Sequence, residues 1–370
     1  MAINYGAGRT TATISTNTTL SPGVYEYQNL TVNSGITLTV PHNSIILVKG
    51  TLALNGIIEV TNPGSGGLGG LIDASSSSSQ GGTGGDAGGT IGVIANVITG
   101  SGTIRAKGGA GTGGVAPTVG WGSPATANTY RKPGGGSPQV TPFSMGTAKS
   151  PVSPGGGQAV GPFPGGVSFQ YGIGKKLNYL WDYLQNNMIS QLKQGGLVSP
   201  SLESGGGAGG SSGAADSSYT GAGGGGGAGG TMFGVGGSGG DGETFHYNAG
   251  SGLYEGNAGA GGGGAGGAIL LVCPTVSSTL NLDASGGVGG NALGVNSNPR
   301  GGGGGGGGGG LILSFTDKDL YTTSTLTGGA GGLRSPNTGT GTTGGVFYAT
   351  NGSAGSSGQY LYLPISTYLS

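Results

Sequence analysis

The sequence predicts a mainly β and irregular fold. Short β-strand repeats, solenoid- or sandwich-like, are combined with a bundle of polyglycine-II helices, and one α-helix lies near 175–193. Three observations predict it. Glycine supplies 97 of 370 residues but is gathered into blocks such as 221–230 (GAGGGGGAGG), 256–267 (GNAGAGGGGAGG) and an unbroken run of ten at 301–310. Short apolar segments abut these blocks without a polar spacer, as where the run of ten enters Leu311, Ile312 and Leu313. Charged residues are only 7% of the chain, the formal net charge is zero and 33% of residues are apolar. Disordered segments usually combine low hydrophobicity with high net charge, which is not this balance.

The glycine admits few architectures. Collagen needs glycine at every third position with abundant proline, whereas this chain has 17 prolines and no sustained G-X-Y register. A flexible low-complexity linker is the competing reading of each block taken alone. In a polyproline-II-like helix, three residues make a turn and no internal hydrogen bonds form, so every buried N–H and C=O must find a neighbouring chain. A GGxGG block leaves each third position free for a side chain and suits a helix with one exposed face. Ten glycines leave no free face, which places 301–310 at the middle of the bundle, spanning about 30 Å.

Along the chain, residues 1–62 read as an N-terminal β attachment region. Leu30, Val32, Ile36, Leu38, Val40, the run Ile45 to Val48, Leu52, Leu54, Ile57, Ile58 and Val60 fall in short runs separated by turn signals, with Asn55-Gly56 a hairpin or tight turn. A glycine-rich bundle with β repeats follows over 63–345. Its unit is a GG block, a strand, a turn, a second strand and another GG block. It reads GGTIGVIANVITGSGTIRAKGGAGTGG at 88–114, GGAILLVCPTVSSTLNLDASGGVGG at 266–290 and GGLILSFTDKDLYTTSTLTGGAGG at 309–332, with IILVKGTLALNGIIEVTNPGSGG at 45–67 lacking the leading glycines. Stacked copies bury their apolar side chains against one another.

An insertion at 115–204 interrupts the repeats and holds the helical pattern KKLNYLWDYLQNNMISQLK. Leu177, Leu180, Trp181, Leu184 and Met188 recur on one stripe, and Gly195-Gly196 mark its stop. Two uses of the stripe are open, packing on the chain's own body and pairing across an oligomer interface. Residues 346–370 form a closing segment in which Tyr360, Leu361, Tyr362 and Leu363 alternate like an edge strand. No secretory signal is visible at the N-terminus, and no apolar stretch approaches a membrane span.

Most catalytic chemistry lacks its residues. The two histidines, His42 and His246, have no second ligand at metal spacing, so no metal site and no cofactor are expected. His42 lies in the PHNS turn and reads as a solvated turn residue. Cys273 sits in AILLVC and reads as a small buried hydrophobe. Asp73, Asp283 and Glu59 recur at the ends of second strands, where capping explains them better than a catalytic carboxylate pair. No GxGxxG match sits between a strand and a helix with GK[ST], and the zero net charge argues against a nucleic-acid partner.

Recognition then falls to loops leaving the rigid body. Aromatic residues cluster in two of them, and the candidate receptor-binding set is Trp121, Tyr130, Arg131, Phe143, Tyr219, Phe245, His246, Tyr247 and Tyr254. Tyr and Trp offer a large contact area at low entropy cost to sugar faces or protein loops. The competing use of these side chains is to cover the edges of the body.

The blocks GGTGGDAGG, GAGGGGGAGG and GGGGGGGGGG, separated by aromatic-bearing loops, resemble the glycine-rich adhesins at the tips of long tail fibres of T-even-like bacteriophages. NLTVNSGITLTV, VKGTLALNGII and TLNLDASGG also look like glycine-rich virion proteins with β-solenoid lead-ins. The resemblance covers about 30–345 and departs from the adhesins in length, in the β-rich repeat and in the 175–193 helix. It implies a body of glycine helices whose loops contact a host outer-membrane protein or polysaccharide. The expectation is a non-enzymatic virion protein at the virion surface, attached to other virion proteins through its N-terminal region. The alternative is a filament, sheath or capsid-decoration subunit that self-assembles as a homo-oligomer through bundle faces. A depolymerase is the least supported reading.

Overall fold

The computed structural model describes residues 3, 5–21, 23–42, 44–61, 81–113, 259–292, 301–334 and 350–366. It also describes the backbone of the short strands Leu71–Ala74, Ser77–Gln80, Thr129–Arg131, Glu203–Ser204, Phe233–Gly234, Tyr247–Asn248 and Leu253–Tyr254.

Strands alternate between two sheets as the chain advances. The first sheet takes β1 (Thr10–Ile14), β3 (Val24–Val32), β5 (Ser44–Leu54), β7 (Thr90–Thr99), β9 (Ala268–Cys273), β12 (Leu311–Thr316) and β14 (Gln359–Pro364), in that spatial order. A short β10 (Thr275–Val276) adds to β7, making eight strands. The second sheet has six, β2 (Thr18–Thr19), β4 (Thr37–Val40), β6 (Ile57–Val60), β8 (Thr103–Arg105), β11 (Asn281–Asp283) and β13 (Ser324–Thr325), again in chain order. Every pairing within both sheets is parallel.

The expected fold class is corrected by this. The body is mostly parallel β-sheet, not a helical bundle, and among the described residues the helical content is a 3-10 turn at Tyr321–Thr323. The 175–193 helix, with Leu177, Leu180, Trp181, Leu184 and Met188, lies outside the described residues. The reason is that the strands set the order. Parallel partners come from successive coils, separated by whole coils of sequence, so no local pattern announces them. The Asn55-Gly56 turn illustrates this. It is a corner between sheets, not a hairpin, because β5 and β6 pair with different neighbours.

The core has two layers. Leu30, Val32, Leu38, Ile46, Ile58, Ile91, Ile104, Ile269, Leu282 and Ile312 pack between the sheets. On the other face of the first sheet, Leu47, Ile94, Leu270, Val272, Leu313 and Phe315 form a second cluster against which Ile3 and Tyr5 pack. All six residues of β9 and of β12 are therefore buried, which is why AILLVC and LILSFT show apolar runs where a half-buried strand would alternate.

Glycine segments prolong the coils beyond the strands. Arms 81–89, 259–267, 301–310 and 350–358 run into β7, β9, β12 and β14, and arms 106–113, 284–292 and 326–334 run out of β8, β11 and β13. Each arm hydrogen-bonds to a given neighbour at every third residue, the repeat of an extended chain with three residues per turn. Gly303, Gly306 and Gly309 donate to the carbonyls of Thr350, Ser353 and Ser356, while Gly304, Gly307 and Gly310 donate to Gly290, Gly287 and Ala284. Residues 302, 305 and 308 accept from Ala260, Gly263 and Gly266. The run 301–310 is wholly buried among these arms.

Candidate functional site

The arms all point away from the sheets in one direction, so their outer ends meet. Ala260 donates to Gly302, Gly303 to Thr350, Gly111 to Val288 and Ala292 to Leu333. These bonds bring 111–113, 259–261, 290–292, 301–303, 332–334 and 350–351 to one end of the molecule. The described residues that flank 114–258, 293–300 and 335–349 on both sides therefore lie at this end. Thr61, before segment 62–80, donates to Val40 at the sheet side, while Gly82, after it, donates to Gly259 at the outer end. Arms of eight to ten residues at about 3.1 Å per residue hold this end roughly 25–30 Å from the strands.

Side chains close the arms where backbone partners run out. Asn291 Oδ1 accepts the Leu333 N–H at 2.8 Å, and Asn351 Oδ1 accepts the Arg334 N–H at 2.8 Å. Thr112 Oγ1 accepts the Thr83 N–H at 2.7 Å on the first coil that has arms. Leu333 is 59% exposed beside them, and Arg334 is exposed as well. A rigid platform with amide, guanidinium and apolar groups at its rim can orient binding loops. Among the described residues no group of three His, Cys, Asp or Glu could hold a metal ion.

The expected receptor-binding residues divide into two groups. Trp121, Phe143, Tyr219, Phe245 and His246 lie outside the described residues. The backbone places Tyr130 and Arg131 on Thr129–Arg131, antiparallel to Leu71–Ala74 with Tyr130 opposite Ile72 and Arg131 opposite Leu71. Tyr247 and Tyr254 are brought directly opposite one another by the pairing of Tyr247–Asn248 with Leu253–Tyr254. Sequence reasoning missed Thr112, Asn291, Leu333, Arg334 and Asn351. For the two asparagines a signal existed: each adjoins the outermost glycine of its arm, in GGN at 289–291 and TNG at 350–352.

The remaining chemically suggestive groups serve the fold. Arg105 pairs with Glu59 at 3.6 Å and Asp283 at 3.5 Å, bridging three consecutive strands of the second sheet. Asp283 Oδ1 also accepts the Ser285 N–H at 3.1 Å and its hydroxyl at 2.7 Å, a local cap. Glu59 is thus an ion-pair partner and not a cap. His42, expected to be solvated, uses Nδ1 to accept the Thr90 N–H at 3.1 Å, tying the PHNS turn to the start of β7. Burial pushes the Cys273 thiol up to about 12, and its Sγ lies 3.1 Å from the Thr275 carbonyl, so it is a poor nucleophile. Comparison with family models, curated proteins and solved structures gives no match for this chain.

Proposed function

We propose that the protein is a non-enzymatic adhesin of a bacteriophage virion, binding a host cell-surface protein or polysaccharide through the segments at the outer end of its glycine arms. The observation that carries the reading is the convergence of the residues flanking 114–258, 293–300 and 335–349 on one end of a layer whose arms are bonded at every third residue. Connecting segments on a rigid support are where binding residues concentrate. Tyr130, Arg131, Tyr247 and Tyr254 belong to the longest of these segments, as do Trp121, Phe143, Tyr219, Phe245 and His246. In this reading the first coils, which lack arms, face the rest of the particle.

The test is competition. Purified protein should bind susceptible cells and block phage adsorption, and Tyr247→Ala together with Tyr254→Ala should abolish the block while leaving the thermal melt in place. Protein that ignores susceptible cells, or that releases reducing sugar from host polysaccharide, sinks the reading.

A further inference from the structure

We propose that the C-terminal edge of the coil stack is a self-association surface, joining two copies of the chain by pairing the arm 350–358 with the same arm of the second copy. The argument begins with the rule that orders the arms inside the molecule. Gly82, Gly85 and Gly88 donate to 259, 262 and 265; Ala260, Gly263 and Gly266 donate to 302, 305 and 308; Gly303, Gly306 and Gly309 donate to 350, 353 and 356. Each step uses the residue after an acceptor as the next donor. The next donors in the series are the N–H groups of Asn351, Ala354 and Ser357, and no described residue accepts from them. Asn351, Ala354 and Ser357 are all exposed.

The open row continues into the first sheet. Gln359 donates to Gly310 and Ile365 to Thr316, so by strand alternation the N–H groups of Tyr360 and Tyr362 face away from β12. Among the described residues β14 pairs with β12 alone; it carries no charged residue, and its outward N–H row runs through Tyr360 and Tyr362 and ends at Pro364. Tyr321, 63% exposed, and Leu333, 59% exposed, belong to the coil before it.

What fits the row is set by its repeat. Donors at every third residue of a side-chain-poor arm require a partner backbone of the same repeat, and the row series inside the molecule already takes Ala260 as a donor and Thr350, Ser353 and Ser356 as acceptors. The arm 350–358 has that repeat: Gly352, Gly355 and Gly358 are turned to the 301–310 arm, the exposed residues of the donor row are only Asn351, Ala354 and Ser357, and a twofold axis would set two such arms antiparallel. Antiparallel arm pairing is already used within the molecule, where Gly261, Gly264 and Gly267 donate to Thr112, Gly109 and Ala106. A twofold interface satisfies both rows at once and closes at a dimer. The inference stands apart from the adhesin reading: a monomer that blocks adsorption, or a dimer that does not, separates the two.

Sedimentation equilibrium of the full chain over a range of concentrations tests it. The wild type should follow a monomer–dimer equilibrium. Ala354→Pro with Ser357→Pro removes two outward donors from backbone already in the conformation proline prefers, and should weaken dimerisation at least about tenfold with an unchanged melt. Should that variant melt early, Ala354→Glu with Ser357→Glu decides, since like charges across the axis should weaken the dimer in a salt-sensitive way. A monomeric wild type, growth beyond a dimer, or folded variants that dimerise as tightly as the wild type each overturn the proposal.

Discussion

At the scale of single residues, glycine is required where one backbone passes another. A Cβ on Gly307 would run into the backbone carbonyl of Gly264, with Ala265 N at 3.0 Å beyond it. No side chain is present to move aside, so the arms themselves must separate. Gly307→Ala should therefore cost at least about 3 kcal/mol in a denaturant melt, whereas Ala330→Val, on the exposed side of an outgoing arm, should stay within about 0.5 kcal/mol. Gly100 answers a different need, since its φ of 90° lies in the left-handed region at the corner between β7 and β8. His42→Ala leaves the Thr90 amide without its acceptor and should cost about 1–3 kcal/mol, measured against His42→Asn, which can keep an acceptor there.

At the scale of elements, the strands hold the register and the arms follow it. The run 301–310 has ten identical residues and no mark of its own position; Leu311, bonded through its N–H to Gly267, sets where it starts. Lengthening the run to eleven glycines should then shift the melt by less than about 1 kcal/mol, because the extra residue is extruded at the outer end where insertion is tolerated. A large loss would mean that the arm and not the strand carries the register. In the second sheet, the Arg105 pairs with Glu59 and Asp283 are partly exposed. Arg105→Ala should cost no more than about 1 kcal/mol, with the loss shrinking as salt is added.

At the scale of the whole molecule, titration and assembly read out the same packing. Burial pushes Cys273, Tyr5 and Tyr360 each up to about 12, from ordinary values of 9.0 for the thiol and 10.0 for the tyrosines. The folded chain thus holds these protons more tightly than the unfolded chain. Their contribution is complete below pH 9 and is lost as pH rises from there towards 12. Melting temperature should fall across that window, and Cys273→Ser should remove its lowest-pH part; a flat profile would contradict the burial of all three. Replacing 335–349 by a four-residue Gly-Ser linker should leave the melt nearly unchanged, because Arg334 and Asn351 are already joined at 2.8 Å, while binding by the outer end changes.

How much of this was legible follows from the range of the interactions. Apolar runs and turn residues are local, so the sequence by itself determined where β3 to β9, β12 and β14 form, that Cys273 is buried, and that glycine blocks adjoin strands. It could not show that β5 and β6 diverge at Asn55-Gly56, nor that β7 pairs with β9 across the long 114–258 segment. Parallel pairing and arm-to-arm bonding join backbones, and backbone groups are the same in every residue. Only the tertiary structure decided that two parallel sheets, and not a helical bundle, order the chain. The same long-range pairing decided that the described residues flanking the inserted segments share one end and that Asn351, Ala354 and Ser357 donate to no described residue.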